Sequence, residues 1–185
     1  MTKTKKLTFC AIMVALATVL MMASKIIPAP WLQGGSITLA SMVPIILVSI
    51  IVDCRWGMVT SVAYALIQIM TGFYPPPTQT VLDFIAVIFL DYIAAFGVLG
   101  FAGVFYKAMG RGKWAIPVSG AIVALGRYIC HIFSGILIWG VYAEEGQSVL
   151  AYSLIYNGSY MIPEIIITAV TLALMVPVIE KIKSN

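Results

Sequence analysis

Residues 81–113 read VLDFIAVIFLDYIAAFGVLGFAGVFYKAMGRGK. From Val81 to Tyr106 the run is apolar and exceeds the roughly 20 residues that a helix needs to cross a bilayer. Lys107, Arg111 and Lys113 follow directly. Lysine and arginine beside a span are retained in the cytoplasm, so this stretch reads as a transmembrane helix that ends on the cytoplasmic side. Five further hydrophobic runs lie outward from it. The chain therefore reads as an all-α integral membrane protein of six transmembrane helices with N- and C-termini cytoplasmic. On this reading Lys3, Lys5, Lys6, Arg55, Lys107, Arg111, Lys113, Lys181 and Lys183 all fall on cytoplasmic segments. Only Lys25 falls outside, and Arg127 lies within a hydrophobic run.

The remaining spans follow from the breakers. The first runs from about Leu7 to Ile27, ended by Pro28, Pro30 and Gly34-Gly35, with Trp31 and Gln33 in the outer loop. The second, Leu39 to Val52, is short and interrupted near its start by Pro44. The third runs from Trp56 to Thr71, before the non-helical Gly72-Phe73-Tyr74-Pro75-Pro76-Pro77. The fifth runs from Trp114 to Trp139. The sixth begins between Tyr152 and Ile162 and ends at about Ile179. The apolar stretch after Lys3, Lys5 and Lys6 exceeds a signal-peptide core and lacks a small-x-small cleavage site, so it reads as a span.

Composition agrees. Hydrophobic residues make up 62% and charged residues 10%, with a mean hydropathy of +1.04. A soluble domain carries roughly 25% charged residues. The length fits a single transmembrane substrate-binding domain over residues 1–185. The net charge of +4 belongs to loops that set topology and meet anionic lipid, so it implies no nucleic-acid partner. Cys10, Cys54 and Cys130 read as packing residues, with no disulfide and no metal site. No GxxxxGK[ST] or other ATPase signature occurs. No internal repeat is visible, which disfavours a self-sufficient secondary transporter.

Function is sought in the ionisable residues of the apolar runs: Asp83, Asp91, Arg127, His131 and Glu164. Each costs roughly 2.5–3.5 kcal/mol at a bilayer centre for Asp or Arg, so such residues face partners or a cavity. Arg127 and His131 share a helix face at a spacing of four, continued by Ser134 and Gly135. Two readings stand side by side. Arg127 neutralises Asp91 and locks two helices, and Glu164 beside Pro163 stabilises a helix start. Alternatively, Asp91, His131 and Asn157 join Trp139, Tyr142, Tyr152 and Tyr156 in an outward-facing site. Aromatic faces, a carboxylate and an amide suit a flat, cationic, nitrogen-rich ligand. Ala11 and Ala15, four apart, allow close helix approach, either within the chain or to a partner.

The stretch Arg127 to Ile136, then Trp139, then Tyr152-Ser153-Leu154-Ile155-Tyr156-Asn157-Gly158, resembles the thiamine-specific S components of energy-coupling-factor transporters. Asp91-Tyr92 followed by Ala94 to Gly100 fits the same family, as does Gly34 to Leu39 before Pro44. The resemblance implies a non-enzymatic subunit of a bacterial cell membrane that captures thiamine at its extracellular end, with no cofactor. The site would lie on the fourth, fifth and sixth helices, under the loop between the first two. Asp91, Tyr92, His131, Trp139, Tyr152 and Asn157 match ligand-contacting positions, Arg127 a basic position and Trp31 a lid position. Ala11 and Ala15 match a docking motif for the membrane coupling subunit, which works with two cytoplasmic ATPase subunits. Some relatives carry Glu where this chain has Asp91, and an acidic residue in the first loop, where this chain has only Gly35, Ser36 and Thr38. Other readings are a different vitamin or a thiamine precursor, or an intramembrane enzyme using Asp83, Asp91 and His131 as acid–base groups.

Overall fold

The computed structural model describes residues 1–26, 30–31 and 34–184. Its helices group into six: α1 (Lys3–Ser24), α2 (Met42–Ile51), α3 (Cys54–Gly72), α4 (Val81–Ala108), α5 (Ala115–Leu137) and α6 (Val149–Ser184). A 3-10 turn, Trp139–Tyr142, follows α5. Helices α1, α4, α5 and α6 are long and apolar enough to cross a membrane. The expected end of the first span at Ile27, Pro28 and Gln33 lie outside the described residues.

α2 sits at the centre. Nine consecutive residues, Met42 to Ile50, are buried, and the helix touches all five others. Its sequence MVPIILVSII is apolar all round, as a helix without a polar face must be when protein encloses it. Ten residues give only about 15 Å of helix. Pro44 was expected to interrupt this span. It lies instead in the first turn, where backbone N–H groups have no intrahelical partner, and the helix runs through it. The one polar side chain, Ser49, accepts from the Gly103 amide (2.8 Å) and donates to the Gly100 carbonyl. A Cβ on Gly103 would stand 2.2 Å from the Ser49 carbonyl oxygen, so α2 and α4 meet backbone to backbone there.

α6 departs most from expectation. It begins at Val149, where the Ser148 hydroxyl accepts the Ala151 amide (3.2 Å), and passes through Pro163 and Pro177. The most extensive packing in the molecule joins it to α5. Toward its loop end a Cβ on Gly135 would crowd Ser153 Oγ, and toward the other end a Cβ on Gly120 would crowd Leu172.

The two ends of the bundle differ. At the basic end Lys6 pairs with Asp53 (3.1 Å), Lys113 with Glu180 (3.3 Å), and Lys183 donates to the Tyr106 hydroxyl (2.6 Å). Burial pushes the Asp53 carboxyl up, but the Trp56 amide and the Lys6 ammonium outweigh it and hold the group below the usual carboxylate range. At the other end Lys25 donates to the Thr71 carbonyl (2.9 Å), and the loops at 34–41, 73–80 and 143–148 gather.

Candidate functional site

α4 leaves α-helical register around its middle, after a regular first stretch Val81–Val87. Ile88–Ala94 is a π-helical segment, and Val98–Phe101 is 3-10. π-Bulges occur often at functional sites because one extra residue per turn re-aims side chains. Here the segment carries Asp91 and Tyr92. Neighbours in sequence, they both line one cavity of about 150 Å³ near the loop end. Arg127 and His131 from α5, Trp139 from the turn after it, and Tyr152, Tyr156, Asn157 and Tyr160 from α6 complete its walls. Gly34, Gly35 and Ser36 contribute from the loop before α2, and Gln68, Gly72 and Tyr74 from α3 and its exit.

Asp91 is the electrostatic centre. One oxygen stands 3.0 Å from His131 Nδ1; the other accepts from Ser134 Oγ (2.7 Å) and Trp139 Nε1 (3.1 Å). Arg127 Nε donates to His131 Nε2 (3.3 Å). A guanidinium only donates, so Nε2 accepts and Nδ1 carries the ring proton to Asp91. Arg127 thus reaches Asp91 through the imidazole. Among the described residues no direct Arg127–Asp91 ion pair forms. The guanidinium also lies over the Phe96 ring, 4.2 Å from its centroid, where cation and ring face attract.

Aromatic rings frame this relay. Trp139 packs against Tyr74 (5.5 Å between centroids) and stacks on Tyr142 (6.4 Å). Tyr152 stacks on Tyr156 (5.6 Å), and Tyr160 meets His131 edge-on (6.0 Å). The Tyr152 hydroxyl is buried and has no hydrogen-bond partner among the described residues. A buried hydroxyl left unpaired costs about 1–3 kcal/mol, so it is a place for a ligand atom to bond.

Several expected residues are already committed to the protein. Tyr92 donates to the Gly72 carbonyl (3.1 Å) and accepts the Tyr74 amide (3.0 Å), so its hydroxyl pins the loop that presents Tyr74. Asn157 donates to the His131 and Ser153 carbonyls (3.1 and 3.0 Å) and accepts from the Tyr160 hydroxyl (2.5 Å). It ties α6 to α5 beneath the cavity. Trp31 lies beside an adjoining cavity, with its indole N–H on Ser159 Oγ (2.6 Å) and its ring edge-on to Tyr160 (5.7 Å).

Asp83 and Glu164 do not line the cavity. Asp83 accepts from the hydroxyls of Thr78 and Thr80 in the first turn of α4. Glu164 was expected at a helix start; because α6 begins fifteen residues earlier, at Val149, it is an interior residue whose carboxylate accepts the Thr38 amide. Ala11 and Ala15 are exposed along α1, so they do not serve packing within the chain. Sequence reasoning passed over Tyr74, Gln68 and Tyr160 as site residues. Tyr160 was legible: Tyr152, Tyr156 and Tyr160 repeat at four residues, one face of a helix, once α6 is allowed to start before Tyr152. Tyr74 gave no signal inside a proline-rich loop.

Over residues 7–184 the sequence matches the family described as thiamine transporter protein (Thia_YuaJ). It is 34% identical over 177 residues to the thiamine transporter ThiT of Bacillus subtilis (strain 168), covering 89% of this chain and 86% of that protein. It is 32% identical over 99 residues to ThiT of Lacticaseibacillus paracasei, covering 48% and 49%. A solved structure of ThiT from Listeria monocytogenes superposes with a TM-score of 0.74 at 22% identity, covering 97% of this chain and 98% of that one. That likeness concerns the fold.

Proposed function

The chain belongs to the thiamine transporter protein family, and from this premise we propose that it captures thiamine in the cavity at the loop end for import across the bacterial cell membrane. The observation that carries the reading is the Asp91 carboxylate set among aromatic rings, with Tyr152 offering an unpaired hydroxyl. Thiamine is a planar thiazolium cation linked to an aminopyrimidine. Trp139 and Tyr74 offer ring faces to the flat cationic part. Asp91 accepts from an exocyclic amine, and the positive thiazolium lies among the aromatic faces. The Ser134 hydroxyl and Trp139 N–H that now occupy Asp91 hold it ready and give way to or share with the ligand. Arg127 acts through His131, whose orientation it fixes.

The subunit works, on this reading, as the S component of an energy-coupling-factor importer. The chain has no nucleotide-binding motif of its own. The exposed Ala11/Ala15 face on α1 suits docking to a membrane coupling subunit, with two cytoplasmic ATPase subunits driving the cycle. Both termini lie in the cytoplasm, where the basic end meets anionic lipid, and the cavity opens outward. The enzyme alternative loses its acid–base set, because Asp83 sits apart from Asp91 and His131 on the threonine hydroxyls. Mass spectrometry on the detergent-purified protein tests the reading. Thiamine should copurify or bind on addition; a chain that takes up another vitamin, or none, overturns it.

A further inference from the structure

Glu164 is 1% exposed, in the middle of α6. A carboxylate inside an apolar bundle persists only where something compensates it. One oxygen accepts the Thr38 amide; the other has no hydrogen-bond partner among the described residues. Thr38 lies two residues beyond Ser36, at the inner end of the segment that roofs the cavity. The same α6 face holds that roof at two more points, each one turn further out. The Tyr160 ring packs against Gly35, where a Cβ would stand 2.7 Å from it, and the Tyr156 hydroxyl donates to the Gly34 carbonyl (2.7 Å). Gly35 has φ +109°, a conformation open to glycine alone, so the roof is shaped to lie on Tyr160. Tyr156, Tyr160 and Glu164 repeat at four residues and grip one strip of chain.

We propose that Glu164 is a positioning residue, the latch that holds the 34–38 segment closed over the cavity through the Thr38 amide. The proposal rests on the reading of that cavity as the ligand site. Lifting the segment strips Glu164 of the hydrogen bond it has while leaving the carboxylate buried. The open state is therefore disfavoured, and a captured ligand leaves slowly. Glu164 touches no cavity surface, so its effect falls on release and not on recognition.

The test uses the full chain in detergent, with Cys10, Cys54 and Cys130 replaced and spin labels at Leu39→Cys and Ile155→Cys, both exposed positions. Distances between the labels are measured without ligand, and thiamine release is followed by stopped-flow tryptophan fluorescence. Glu164→Ala should lengthen and broaden the distance distribution and speed release by about tenfold or more. Glu164→Gln keeps an acceptor oxygen for the Thr38 amide and should speed release clearly less than Glu164→Ala does. Thr38→Pro deletes the amide while leaving Glu164 in place and should copy Glu164→Ala. Because it also removes the hydroxyl that bonds Ser41, it is read against Thr38→Ala, which loses that hydroxyl alone, and the pair decides the matter if Glu164→Ala does not fold. Unchanged distances in folded Glu164→Ala or Thr38→Pro overturn the latch, as does Glu164→Gln behaving like Glu164→Ala. A parent protein that ignores thiamine sinks the thiamine reading instead, and the ligand-free distances still decide the role of Glu164.

Discussion

Asp91 has three donors within the protein: the His131 ring, the Ser134 hydroxyl and the Trp139 indole. Asp91→Asn keeps the shape and removes the charge. It should weaken thiamine binding by about 1.5–3 kcal/mol, the usual worth of a hydrogen bond to an ionised group. Titration of the folded variant checks this, and normal affinity would reduce Asp91 to a structural tie. Trp139 supplies both a ring face and the indole N–H that Asp91 accepts. Trp139→Ala should cost about 1–3 kcal/mol of binding, the range for stacking platforms. Trp139→Phe should recover part of that loss, since it restores the ring alone. Tyr152→Phe removes a hydroxyl that no described protein group pairs. It should leave thermal stability unchanged and lower affinity; a drop in stability with unchanged affinity would show that the hydroxyl has a structural role. At this scale the sequence was informative where residues cluster by type. Asp91, Arg127, His131, Trp139, Tyr152 and Asn157 do meet around one cavity. What it could not give was how they divide the work. That Tyr92 and Asn157 are spent on the protein's own backbone depends on hydrogen bonds between distant segments.

Among the elements, the long apolar helices were legible and the irregular turns were not. Hydropathy placed α4 and α5 nearly to the residue, because length and composition decide a membrane helix. It misjudged α6, where Pro163 reads as a boundary but the helix continues with neighbouring packing. It also treated α2 as a short span, when its uniform apolarity marks a helix enclosed by the other five. The π segment of α4 left no pattern in the sequence, yet it determines which way Asp91 points. Phe89 lies in it and is exposed. Deleting Phe89 should restore a regular α-helix and carry the Asp91 side chain off the direction that the π segment gives it. Thiamine binding should then be lost while circular dichroism keeps its helical signal. A deletion variant that binds normally would mean that the π segment has no part in aiming the site.

In the whole molecule, the cavity and the face proposed for coupling lie apart. The cavity lies at the loop end, while Ala11 and Ala15 lie on the exposed face of α1. Helices in lipid associate through close packing because lipid offers no hydrophobic drive between them. Ala11→Trp or Ala15→Trp should therefore leave thiamine binding by the purified subunit intact and abolish uptake in cells that supply the coupling module. Surviving uptake would remove this face from coupling; lost binding would place it inside the site's own support. The basic residues suggested an orientation from sequence; Lys6, Lys113 and Lys183 lie at the end of the bundle away from the cavity, while Lys25 lies at the loop end. The central claim, that this cavity is a thiamine site, is tested most directly by titration calorimetry on the purified chain, with thiamine and, separately, riboflavin. The account predicts saturable one-to-one heat with thiamine and none with riboflavin; heat with riboflavin, or none with thiamine, would contradict it.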